Sequence, residues 1–182
     1  MKSKLYENIN NGLFYGTIGA LVTGLAKIPL PIRDWPLTLA LFAVFFLLLR
    51  LKMYLDDYKY FSTVDTKSTN FKVGFVVGMI SWVFWGLGAL SVQDLQEAYF
   101  RVGIAITVST IWIIVDALRK GAYREQYIWL GTNATFVLLL WALYRRNMPM
   151  GDWQTWLFLV IALLLVGCDF VFSKSIPEVI PG

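Results

Sequence analysis

FLLLRLKMYLDDYKYF, residues 46–61, begins as an apolar run, takes on Arg50 and Lys52, and then sets two adjacent acids, Asp56 and Asp57, among tyrosines. An apolar stretch that acquires charge and tyrosine at its margin is the pattern of a helix leaving a bilayer, where basic side chains reach for the headgroups. The rest of the chain repeats it. Of 182 residues, 58% are hydrophobic and 15% charged, with a mean hydropathy of +0.61, which lies outside the balance of a soluble domain. A soluble core cannot hide so many long apolar runs, whereas lipid can face all of them. The net charge of +4 does not point to nucleic acid, because the sixteen Lys and Arg lie between apolar runs and form no basic face or tail.

Stretches without a charged residue run 8–26, 35–49, 73–93, 102–115, 126–144 and 153–168, so odd runs are long and even runs short. A hydrocarbon core of about 30 Å takes about 20 helical residues. The even helices therefore continue through the charges that end their runs, and the spacing predicts spans near 9–27, 35–54, 73–93, 98–118, 126–144 and 153–172. The N-terminal stretch offers no small-x-small cleavage site and is read as the first span instead of a signal peptide. Eleven of the sixteen basic residues fall on the side of the two termini and five on the other, which the positive-inside bias reads as both ends cytoplasmic. The expected fold is an all-α integral membrane protein of six transmembrane helices in one polytopic domain. A bacterial inner membrane and a eukaryotic internal membrane satisfy this bias equally. Trp35, Tyr99, Tyr127, Trp129, Tyr144 and Trp153 fall near span ends, as interfacial anchors do.

The long–short alternation suggests a repeated helical hairpin. Asp34, Asp94 and Asp152 each precede an even helix, and DWPLTL at 34–39 shares its Asp-Trp and its Leu with DWQTWL at 152–157. Each Asp is placed to cap the following helix, and capping alone accounts for the acid without common ancestry. Gly12, Gly16, Ala20 and Gly24 recur every fourth residue in the first span, and Gly74, Gly78 and Gly86 do so in the third. Such stripes let helices approach closely, within the bundle or in self-association with other copies or subunits. Cys168, alone in an apolar run, is read as a packed thiol.

Acids inside spans carry the functional interest. Asp169 stands in VGCDFVF and Asp116 in IIVDALRK, the latter with Arg119 and Lys120 within one turn. An intramembrane carboxylate marks a functional site by default. Arg50 either snorkels to the headgroups or turns inward to meet the two acids, and Asn133 adds a polar group in the fifth span. These four residues are the expected polar path. Asp56 has Lys52 four residues before it and Lys59 three after, which fits an ordinary helix-surface pair. Asp56 and Asp57 could also hold Mg²⁺ with a diphosphate. FFLLLRLKMYLDDYKYFSTVD, residues 45–65, resembles the aspartate-rich segment of the UbiA family of membrane prenyltransferases. The resemblance implies metal binding by Asp56, Asp57 and Asp65. It covers about twenty residues, has Tyr60 where the DDxxD pattern carries Asp, and is joined by no second aspartate-rich segment.

With no histidine in the chain, histidine general bases, haem ligation and histidine metal sites are excluded. No phosphate-cradling glycine loop is present, and the fourth span lacks the regular arginines of a voltage sensor. The sequence names no cofactor. Its reading is a small membrane transporter, channel or membrane-embedded solute-binding subunit with a polar vestibule on the cytoplasmic side. The alternatives are an accessory or assembly subunit of a larger membrane complex and a Mg²⁺-dependent enzyme acting on a lipid or prenyl diphosphate.

Overall fold

The computed structural model describes residues 4–63, 68–120, 124–146 and 153–172. Asp65, Asp152 and Lys174, and the side chains of Lys59, Arg119 and Lys120, lie outside that description. Six α-helices are formed among the described residues: α1 (Lys4–Ala26), α2 (Leu37–Thr63), α3 (Thr69–Leu90), α4 (Leu95–Lys120), α5 (Arg124–Arg146) and α6 (Trp153–Phe172). All but α1 are long and apolar enough to cross a bilayer, and the chain is accordingly a multi-pass membrane protein. The outward faces fit that setting, since Leu118, Leu138 and Leu164 are 82%, 71% and 66% exposed and lipid, not water, is their natural solvent. Helix α1 falls short for an identifiable reason: Asn8, Asn10 and Asn11 sit in its first half.

The helices close a ring. Its order is α1, α3, α4, α5, α6, α2 and back to α1, so α1 lies beside α3 and α2 beside α6. A threefold repeat of hairpins would alternate odd and even helices around the ring, and the first hairpin breaks that alternation. The shared Asp does not restore it. Asp94 does cap α4, its Oδ1 accepting from Gln96 N at 3.1 Å and Glu97 N at 3.2 Å. Asp34 lies instead in a one-turn 3₁₀ helix, Ile32–Asp34, beside Arg33, and α2 begins after Pro36, whose carbonyl accepts from Leu39 and Ala40. A proline before the first turn supplies a fixed φ and gives up an N–H that would have no partner there.

Helix α2 fills one half of the ring. Phe42 meets Tyr99 of α4 edge-on at 5.3 Å, Phe45 meets Phe136 of α5 at 5.6 Å, and Phe46 meets Trp85 of α3 at 5.1 Å. All three phenylalanines are wholly buried. Edge-to-face geometry puts the positive ring edge on a negative ring face, and three helices are tied to α2 in this way. Tyr99, expected at the interface, is thus an interior residue.

Glycine permits close approach at particular points only. A Cβ at Gly24 would overlap the carbonyl of Ala89, and one at Gly88 would stand 2.7 Å from Val102. At Gly74 it would run into the Trp112 ring, which lies flat across α3 there. Gly12, Gly16 and Gly86 meet nothing among the described residues, so the expected stripes serve the bundle at one position each in α1 and α3.

Candidate functional site

The other half of the ring, at the end where α1 begins and α6 ends, holds a partly open cavity of about 180 Å³. Every helix contributes to its wall. Asn10 comes from α1, Asp56 and Asp57 from α2, Gly74, Gly78 and Trp82 from α3, Ser109, Trp112 and Asp116 from α4, Gln126, Trp129 and Asn133 from α5, and Asp169 from α6. Space exists because α3 presents glycine at 78, where a Cβ would meet nothing within 4 Å, and at 74, which seats the Trp112 ring, while one helical turn nearer the buried phenylalanines of α2 it presents Trp82 and Trp85. Four carboxylates therefore face one small volume.

Each acid is held differently. Lys52, 3% exposed, forms an ion pair with Asp56 on its own helix and stands 3.8 Å from Asp169 Oδ2 across the α2–α6 contact. The ammonium also lies 5.9 Å from the centre of the Trp129 ring and 6.0 Å from that of Phe170. Asp116 accepts a hydrogen bond from Gln126 Nε2 at 3.1 Å. Asp57 makes no hydrogen bond or ion pair among the described residues, and the charges acting on it are those of Arg50, Asp56 and Lys52. It is the least committed of the four.

Arg50 turns inward and is completely buried, yet it is not part of the cavity wall. Its guanidinium stacks on Trp82 with 3.6 Å to the ring centre and lies 5.1 Å from Trp85, while Nη1 donates to Met53 Sδ at 3.5 Å. Cation–π contact of this kind replaces part of the lost hydration. Nε and Nη2 have no hydrogen-bond partner among the described residues. Arg50 is one layer behind the wall, screened from the cavity by Trp82 and Met53, which line it.

Of the expected polar path, Asp116, Asp169 and Asn133 share this cavity with Asp56 and Asp57, and Arg50 stands apart from them. Among the described residues no group of three or more His, Cys, Asp or Glu side chains is set to hold a metal ion. Thr132 and Thr135, beside Asn133 on α5, donate to the carbonyls of Ile128 and Gly131 on their own helix, a local solution that removes them from the site. Ser81 Oγ donates to the Ala105 carbonyl at 2.9 Å and shares a 2.8 Å bond with Ser109, tying α3 to α4 at the cavity floor.

Sequence reasoning passed over Asn10, Gln126, the three wall tryptophans and the reach of Lys52 to Asp169. Depth counting would have found the last, because α2 and α6 cross in the same sense and both meet charge near the same end. Asn10 carried a signal too, as one of the amides at the start of the first charge-free run. The chain matches no known family, no curated protein and no solved structure.

Proposed function

We propose that the protein is a small membrane transporter, or a membrane-embedded solute-binding subunit, whose vestibule takes up cations. The observation that carries this reading is the charge of the cavity wall. Asp56, Asp57, Asp116 and Asp169 line it, and the two cations nearby, Lys52 and Arg50, stand behind the lining. An excess of carboxylates in a low-dielectric surround raises the local concentration of cations and disfavours anions. The phenylalanine plug closes the opposite half, so the arrangement is that of a carrier open to one side. The excess of Lys and Arg beside the termini assigns that open side to the cytoplasm, with both ends inside and α1 as a sixth span.

Asp56 and Asp57 on one wall also fit the second reading, an enzyme that binds a diphosphate through Mg²⁺. The Lys52 ion pair on Asp56 weighs against it. Reconstitution into proteoliposomes separates the two. Cation flux that falls at least about tenfold in Asp57→Asn, by loss of one wall charge, supports the vestibule. Absence of any cation flux together with Mg²⁺-dependent turnover of a prenyl diphosphate would replace it with the enzyme.

A further inference from the structure

The wall that attracts cations is unusually aromatic, and that property narrows the cation. Resting on the cation-vestibule reading, we propose that the cavity binds an organic ammonium ion bearing at least one N–H, seated between Asp57 and the rings of Trp82, Trp112 and Trp129.

Calcium calls for six to eight oxygen ligands in close array. Among the described residues no three Asp or Glu side chains are grouped to hold a metal ion, and Lys52 already occupies Asp56 and faces Asp169. Aromatic faces, by contrast, attract weakly hydrated cations spread over carbon and nitrogen, and do so more strongly when water is excluded. The protein contains its own example. The Lys52 side chain is a tethered alkylammonium held by two carboxylates with the Trp129 and Phe170 rings about it. Arg50 on Trp82 is a second organic cation held by a ring. A free alkylammonium entering beside them would find the same chemistry in Asp57 and the Trp112 face.

Asn10 supplies an independent indication. It is 1% exposed, it lines the cavity, and its Oδ1 has no hydrogen-bond partner among the described residues. Its orientation is fixed by chemistry: Nδ2 donates to the Tyr54 carbonyl at 3.4 Å, and the flipped amide would set two acceptors against each other. A buried acceptor without a donor costs free energy. An ammonium N–H that reaches it supplies the missing donor, as an anion or a quaternary ammonium would not.

Titration calorimetry on the intact protein in micelles tests this with benzylammonium, its uncharged counterpart benzyl alcohol, benzyltrimethylammonium and potassium. Benzylammonium is expected to bind saturably and at least about tenfold more tightly than benzyl alcohol, the increment a ring-plus-carboxylate site gives a desolvated cation. Asp57→Asn abolishes that preference and Asp57→Glu keeps it. Asn10→Leu weakens benzylammonium and leaves benzyltrimethylammonium, which has no N–H, unchanged. Equal binding of benzyl alcohol by the unaltered protein overturns the proposal without recourse to any variant. Potassium binding without benzylammonium binding also overturns it, and leaves the cation vestibule standing. Failure of every cation to bind removes both.

Discussion

Two segments of one helix, Phe42–Phe46 and Arg50–Asp57, face the same ring interior and produce opposite results. The first meets Tyr99, Phe136 and Trp85 and shuts the ring by packing. The second shares a cavity wall with glycines of α3 and carboxylates of α4 and α6. The contrast shows where each half gets its stability. In the plug, rings interlock so closely that Trp85 Nε1 and Tyr99 Oη go without hydrogen-bond partners among the described residues. In the cavity half, order comes from polar ties instead: Lys52 to two acids, Gln126 to Asp116, and Tyr54 Oη donating to Asn11 at 2.8 Å.

The polar half is the more sensitive to a single change. Lys52→Met removes the cation that Asp56, half-buried, shares with buried Asp169, so the cost should fall toward the lower end of the range of about 3–5 kcal/mol for breaking a buried pair. Combined with Asp169→Asn, it should recover a coupling of about 0.5–3 kcal/mol, the range for residues in direct contact. Unfolding in mixed micelles measures both. A Lys52→Met protein as stable as the parent would show that the α2–α6 contact rests on packing alone, and the contrast between the halves would disappear.

The plug should yield less than its aromatic content suggests. In water Phe→Ala costs about 3–5 kcal/mol, part transfer and part cavity. Within a bilayer the unfolded helix stays in an apolar medium, so the transfer part falls away and the packing part remains. Phe45→Ala is therefore expected to cost about 2 kcal/mol, the cavity share of the soluble figure, by the same unfolding measurement. Its effect on cation binding should be nil, because Phe45 is not part of the cavity wall. Loss of binding in this variant would mean that the two halves act as one unit.

The same contrast explains what could be read from the sequence. Five spans were legible because charge-free length reports bilayer thickness directly, and α2 overran its expected end at 54 because the helix continues beyond the acids to Thr63. Asp116, Asp169 and Asn133 were legible as cavity residues because polar groups in an apolar run have few other places to go. Ring order was not. Whether α1 sits beside α3 depends on which faces complement each other, as at Gly24 against Ala89 and Tyr6 against Phe71 at 4.8 Å, and span length carries none of that. Arg50 escaped for a related reason: its partner is a tryptophan face, and a search for charge partners passes over rings. Tyr99 was misread because an aromatic near a span end serves an interface or an interior equally well.

The smallest effect tests the floor between the two halves. Ser81 sits between Trp85 in the plug and Gly78 on the cavity wall, and its hydroxyl binds both Ala105 O and Ser109 Oγ. Interhelical hydrogen bonds in membranes average about 0.6 kcal/mol, since the separated helices also find partners. Ser81→Ala should thus destabilise by only about that amount, but it leaves Ser109 Oγ free to turn toward the cavity. Stability barely changes while the wall loses the Ser81 hydroxyl and the Ser109 hydroxyl is freed, so cation affinity should shift more than unfolding does. If unfolding shifts by several-fold the expected amount and binding stays constant, Ser81 belongs energetically to the plug. The boundary between the halves would then lie one turn nearer the acids.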